Sequence, residues 1–320
     1  MKKNISKIIV PLLVIVLIVT LFGCNKASDV SSTINIATLK GPTGLGMVQL
    51  MDNTDKYNVT TYESPDEITS KILNGDVDIA AIPSNMAAVL YNKTGGKIVA
   101  ISPNTLGILY LTENKTNKVS SFKDINKQTI FASGKGSSPE FIMKALFESA
   151  GINFDTLNIK WLSNHSDVVA AHMKNPSSLA LIPEPFLTVA SSKNPNIKVA
   201  IDLNNQWKTL TEQDLPMGVL VAQKSFANER KEDLSIFMND YRDSVDFVNN
   251  DQKEAAKLIV KNKIIADVNV AQKSIKRCNI VLFDSQESQA TLSTFYDTLS
   301  KIDKKSIGGI VPKEDFYYHF

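Results

Sequence analysis

The 320-residue chain is poor in the residues that most enzyme chemistry needs, with two cysteines, three histidines and two tryptophans. Two cysteines cannot build a disulfide framework or a cysteine-rich zinc site. His165 and His172 are seven apart and could share a helix face, but no carboxylate or third histidine stands at ligand spacing. No metal and no cofactor is therefore expected. The Gly-x-Ser-x-Gly elbow, the His-Glu-x-x-His pair and the Gly-Lys-Ser/Thr phosphate loop are all missing. Neither sign of charge dominates, at 35 basic against 33 acidic residues. A basic field for nucleic acid is thus excluded. Long apolar runs are absent after the first two dozen residues, so the remainder reads as a globular protein that stands on its core.

Those first residues are of a different kind. Lys2, Lys3 and Lys7 precede an apolar run, Ile8 to Phe22, shorter than the roughly 20 residues of a spanning helix. The run ends in Leu21-Phe22-Gly23-Cys24, which resembles the lipobox of bacterial lipoproteins. That resemblance implies a signal peptide over 1–23, cleavage before Cys24 and a lipid on the Cys24 sulfur. The protein would then sit on the extracytoplasmic face of the cell membrane. An uncleaved anchor helix is the competing reading. Losing three lysines takes the net charge from +2 to −1 and leaves Cys278 without a pairing partner. Residues 24–33 are small and polar, and read as a tether.

From Ile34 onward strands and helices alternate. Ile34–Leu39 is a first strand, running into the glycine-rich turn Gly41-Pro42-Thr43-Gly44-Leu45-Gly46. Tyr57–Tyr62 is a second, followed by Ser64-Pro65-Asp66-Glu67, a capping box with proline at the first helical position. Gly75 stops that helix, Val77–Ile82 is a buried strand, and Pro83-Ser84-Asn85 opens the next helix. Lys97–Ile101 and Thr105–Leu111 read as two further strands. A second series follows from Ser121, with strands at Gln128–Ala132, Asn158–Leu162 and Leu179–Ile182. Ser137 with Glu140 reads as another capping box. The segment Leu181-Ile182-Pro183-Glu184-Pro185 echoes Ala81-Ile82-Pro83-Ser84 and suggests two similar α/β lobes. From Ser225 the pattern is helical, with apolar stripes through Leu234–Val248 and Leu292–Ile302, and the aromatic tail Phe316–Phe320 is expected to pack on the first lobe.

This order of elements resembles the solute-binding proteins of ABC importers, in the branch that takes sulfonates, nitrate, taurine and thiamine precursors. The Gly41–Gly46 turn, Gly75-Asp76-Val77-Asp78-Ile79-Ala80, Ser121-Phe122-Lys123-Asp124-Ile125 and Ile182-Pro183-Glu184-Pro185-Phe186 carry the resemblance across the chain after the lipobox. It implies a two-lobed α/β fold of the periplasmic-binding-protein type II class. Each lobe would be a mostly parallel sheet wrapped by helices, and two hinge strands, near Thr105–Tyr110 and Met217–Ala222, would join them. Lobe one is then 34–107 with 220–320, and lobe two is 108–219. The implied role is a monomeric, non-enzymatic receptor that captures a small solute and delivers it to a membrane permease with its ATPase. A biosynthetic enzyme or a sensor domain on the same scaffold are the alternatives. The export signal and the lack of a trailing signalling helix speak against them.

Ligands of open α/β sheets sit beyond the carboxyl ends of the strands, where helix N-termini point. The candidate ligand contacts are therefore Thr43, Gly44, Ser64, Ser84 and Asn85 from the first lobe, and Ser133, Lys135, Ser137, His165 and Glu184 from the second. Ser64 and Ser137 read first as helix caps, Lys135 reads also as a solvated turn charge, and Glu184 equally as a cap of its own helix. Tyr62, Tyr91, Trp161 and Phe186 could form an aromatic wall or simply core. Two ligand classes stay open. One is a sulfonate- or nitrate-like anion, suited by helix ends and Lys135; the other is a nitrogen heterocycle, suited by Glu184.

Overall fold

The computed structural model describes residues 33–114, 119–125 and 128–320. The expected signal peptide, the lipidation site Cys24 and all of the tether but Thr33 lie outside the described residues. The chain enters through β1 (Ile34–Leu39), α1 (Pro42–Leu45), α2 (Val48–Asp52), β2 (Tyr57–Tyr62), α3 (Pro65–Asn74), β3 (Ile79–Pro83), α4 (Ser84–Thr94) and β4 (Ile98–Leu106). A second series follows, with β5 (Leu109–Asn114), β6 (Ile130–Ser133), α5 (Ser138–Ser149), β7 (Ile159–Leu162), α6 (His165–Lys174), β8 (Leu179–Pro183), α7 (Phe186–Lys193), β9 (Ile197–Asp202) and α8 (Leu203–Thr211). The chain then returns through β10 (Pro216–Gln223) and ends in α9 (Lys224–Glu229), α10 (Lys231–Asn250), α11 (Gln252–Lys261), α12 (Val268–Ser274) and α13 (Ser285–Ile302). Among the described residues no helix is long and apolar enough to cross a membrane.

Two five-stranded sheets form, in the orders β2-β1-β3-β10-β4 and β7-β6-β8-β5-β9. Their plans match position by position. In each, the second strand pairs in parallel with both neighbours, and the fourth strand, β10 in the first sheet and β5 in the second, runs antiparallel to both of its own. The expected two-lobed α/β architecture is thus observed, with sheets that are mixed because that fourth strand runs against the others. The Ile-Pro echo has a structural meaning. Pro83 ends β3 opposite Gly218, and Pro183 ends β8 opposite Leu109, each at the third position of its sheet. A residue without an N–H is tolerated there because the ladder stops.

Two local expectations differ. The strand read at Lys97–Ile101 continues as β4 through Pro103 to Leu106, and the strand read at Thr105–Leu111 is divided at Gly107 and Ile108 between β4 and β5. β4 is an edge strand, and three register shifts against β10 absorb the proline. The close approach of α8 requires glycine at this break: a Cβ on Gly107 would lie 1.8 Å from Asn204 Oδ1. The second passage between the sheets also comes earlier than expected. Met217–Ala222 lies wholly in the first sheet, paired with β3 and β4. The chain crosses before it, through α8 and residues 212–215.

One apolar cluster reaches through both sheets, from Ala37 and Ile82 to Leu111 and Leu181. Trp207 of α8 and Phe295 of α13 meet inside it, with ring centroids 5.6 Å apart. The outer face of the first sheet is covered by α10, whose Phe237 and Tyr241 pack with Tyr57 as the apolar stripe predicts. The tail docks as expected on the first sheet: Tyr318 donates its N–H to Ala100 O, and Phe316 is fully buried against Tyr91 and Tyr296.

Candidate functional site

A cavity of about 690 Å³ lies between the carboxyl ends of the two sheets. Six strand-to-helix junctions, three from each sheet, reach it. Thr43, Pro65 and Asn85 come from the first lobe, and Ser137, His165 and Glu184 from the second. Its volume falls in the range of small-molecule sites, roughly 300–1,000 Å³.

Thr43, Asn85, Ser137, His165 and Glu184 line this cavity, whereas Gly44, Ser64, Ser84, Ser133 and Lys135 do not. Each of the second group has another place. Gly44 turns so close under β1 that a Cβ would sit 2.7 Å from Leu39 O. Ser64 caps α3 by accepting from Asp66 N. Ser84 is buried at the start of α4, with its carbonyl accepting from the Tyr296 hydroxyl. Ser133 stands behind His165, its Oγ 2.7 Å from Nδ1. Lys135 is exposed on a turn between Gly134 and Gly136, both at positive φ, and points no charge at the cavity. The capping box read at Ser137 and Glu140 does not form. The left-handed Gly136 hands its own N–H to Glu140 Oε2, and Ser137 Oγ donates back to Gly134 O.

The aromatic wall is smaller than expected. Phe186 lines the cavity with its ring 5.1 Å from that of His165. Tyr91 is committed to Asp315 and Phe316, and Tyr62 and Trp161 pack against the core. His172 is remote from the site; it is buried with Nδ1 3.0 Å from Ser178 Oγ. Burial lowers the pKa of both imidazoles, to about 4 for His172.

Glu184 is 1% exposed. Its Oε2 accepts from Thr188 N at 3.1 Å, so it caps α7. Its Oε1 lies 3.5 Å from Arg277 Nη1, a residue that follows α12. Burial holds this carboxyl above its usual range, against the opposing pull of Thr188 and Arg277. Glu184→Ala is accordingly expected to lower the stability of the fold by about 1 kcal/mol, as other cap losses do. Glu184→Gln keeps the acceptor and should cost less. The midpoints of urea unfolding would rank the two.

Sequence reasoning missed several wall residues. Ser138 of α5 donates from its hydroxyl to Asn85 Oδ1 at 2.6 Å, a direct bond between the lobes. Thr105, at the end of β4, lines the cavity from the first sheet. Six of the chain's twelve prolines also line it: Pro42, Pro65, Pro83, Pro139, Pro183 and Pro185. Each proline is readable as a junction signal, but their convergence is a property of the fold.

A family model described as menaquinone biosynthesis matches residues 45–301, most of the chain. The chain belongs to this family. A comparison with curated proteins returns no match. Solved structures of the same fold include an ABC transporter protein from Parabacteroides distasonis, 22% identical, with a TM-score of 0.77 over 90% of this chain and 99% of that one. The periplasmic aliphatic sulphonate binding protein SsuA of Escherichia coli is 14% identical, with a TM-score of 0.68 over 86% and 95%. A ligand-binding component of an ABC-type import system from Staphylococcus aureus, described with zinc bound, is 14% identical, with a TM-score of 0.63 over 89% and 97%. At these identities the likeness establishes the fold. A member of a family named for biosynthesis thus has the fold of transport receptors, and the cavity must decide between the two roles.

Proposed function

We propose that this family member is the solute-binding component of an ABC importer. It would be exported, held at the extracytoplasmic face through lipid on Cys24, and act as a monomer that hands its solute to a permease driven by an ATPase. The observation that carries this reading is a cavity walled by six strand-to-helix junctions, three from each of two lobes with matching strand order. Such a cavity gains its contacts when the lobes approach and releases them when they part. The covalent connections at Gly107–Ile108 and through 203–215 are where that motion would be taken up.

The biosynthetic reading has one observation in its favour, the family description. The cavity supports it less well. The hydroxyl–imidazole pair there, Ser133 and His165, has its hydroxyl behind the imidazole, outside the wall. A nucleophile needs the reverse order. Native mass spectrometry of the purified protein tests the choice. A receptor is expected to carry a small molecule that is released unchanged on denaturation and rebinds stoichiometrically. Recovery of a chemically altered compound after incubation would move the protein to the enzyme class.

A further inference from the structure

The cavity wall is built against small anions. A helix N-terminus holds an anion through free backbone N–H groups. At these junctions many of those groups are absent or already used. Pro42 and Pro65 occupy the first position of α1 and α3, Pro139 lies in the first turn of α5, and Pro83 and Pro185 immediately precede α4 and α7. Proline has no N–H to give, and it presents a ring of methylenes instead. Several remaining donors face side chains of this chain. Asp66 N goes to Ser64, Gly136 N to Glu140, Asp167 N to Asn164 and Thr188 N to Glu184. The lysine of the wall, Lys40, is paired with Glu63. A nitrate or sulfate ion would also leave most of about 690 Å³ unfilled.

What the wall does offer is a ring face and a buried hydroxyl. Phe186 and His165 supply the face. Thr105 is 0% exposed and lines the cavity, and its Oγ1 has no hydrogen-bond partner among the described residues. A buried hydroxyl without a partner is costly unless something completes it. We infer that the cleft selects an uncharged planar ring compound with a hydrogen-bonding edge, that Thr105 recognises this edge, and that small oxyanions are rejected. This rests on the receptor reading and assigns its ligand class and its specificity residue.

The experiment is a thermal-shift and calorimetric titration of the full-length chain in detergent. The uncharged probes are uracil, nicotinamide and benzamide; the anionic probes are nitrate, sulfate and ethanesulfonate. At least one uncharged ring is expected to raise the melting temperature, and none of the anions at millimolar concentration. Thr105→Val keeps the β-branched strand residue and removes the hydroxyl. It is expected to weaken the best ring by roughly tenfold while the ligand-free melting temperature stays near that of the wild type. Tight binding of an anion overturns the inference and leaves the receptor reading standing. So does a ring that binds Thr105→Val and wild type alike. Should Thr105→Val not fold, Phe186→Leu carries the test: a loss of about tenfold for rings supports the ring face, and unchanged affinity overturns it. If neither class binds and no solute travels with the purified protein, the receptor reading itself fails, and the inference with it.

Discussion

Trp207→Ala is expected to lower the unfolding free energy by about 3–5 kcal/mol, the usual cost of truncating a fully buried large aromatic side chain. Trp207 is 0% exposed and heads the fully buried side chains by volume. It leaves the second sheet on α8 and meets Phe295 of α13. That helix also packs on β4 and β10 of the first sheet and on α5 of the second lobe. The side chain therefore sits where apolar packing is shared by both lobes, and its loss opens a void that neither can close alone. A contrast sharpens the prediction. The indole N–H has no partner among the described residues. Trp207→Phe removes that buried donor along with some volume, so the two effects oppose each other and the cost should be well below that of alanine. Urea unfolding followed by the remaining tryptophan, Trp161, and by far-ultraviolet circular dichroism gives both values. Coincident transitions are expected, because the core that joins the lobes is continuous. If alanine and phenylalanine cost the same, the loss does not come chiefly from the void.

The same residues show what could be read in advance and what could not. The strand ending in Ile-Pro was legible twice, because a proline after a short apolar run has few places to go in a sheet. Gly75 was legible as a helix stop, and it has φ 75°. The passage of β4 through Pro103 was not legible, because a proline is absorbed into a strand only where a bulge allows it, and bulges depend on the partner strand. Ser137 and Glu140 had the right spacing for a capping box. The backbone at Gly136 redirected both side chains, and a local motif does not encode that conformation. The wall of the cavity was legible in outline, since strand ends and helix starts can be placed from pattern alone. Its chemistry was not. Thr105 looks like any strand threonine until its hydroxyl is found buried without a partner among the described residues. Arg277 meets Glu184 from 93 positions away. Such pairings exist only after the topology has been chosen, which is why Glu184 could be read both as a cap and as a ligand contact.

The protein is expected to lose about 3 kcal/mol of stability as the pH falls from 6.5 to 4, with His172 as the main cause. His172 is fully buried on α6, beside Ser178 and with Nε2 3.5 Å from Thr112 Oγ1. Burial disfavours its imidazolium and lowers the pKa from 6.5 to about 4. The sign follows from proton counting. Between these two values the unfolded chain binds a proton that the folded chain refuses, so acid pulls the equilibrium toward unfolding. Well above pH 6.5 both states are neutral at this position, and its contribution is flat. His165, also lowered by burial, acts in the same direction. Glu184 acts oppositely. Its folded pKa lies above 4.5, so the folded state keeps a proton that the unfolded state has released, and stability from this group falls as the pH rises above 4.5. The two trends are separable by mutation. His172→Gln should be less stable than the wild type at pH 7 because it disturbs a packed site, yet its stability should change far less between pH 7 and 4.5. Glu184→Gln should steepen the acid loss of the wild type, since it removes the group that offsets it. Urea titrations at the two pH values give all three slopes. An unchanged slope in His172→Gln would mean that the proton is taken up elsewhere, and would leave the buried imidazole as a packing residue with no part in the acid response.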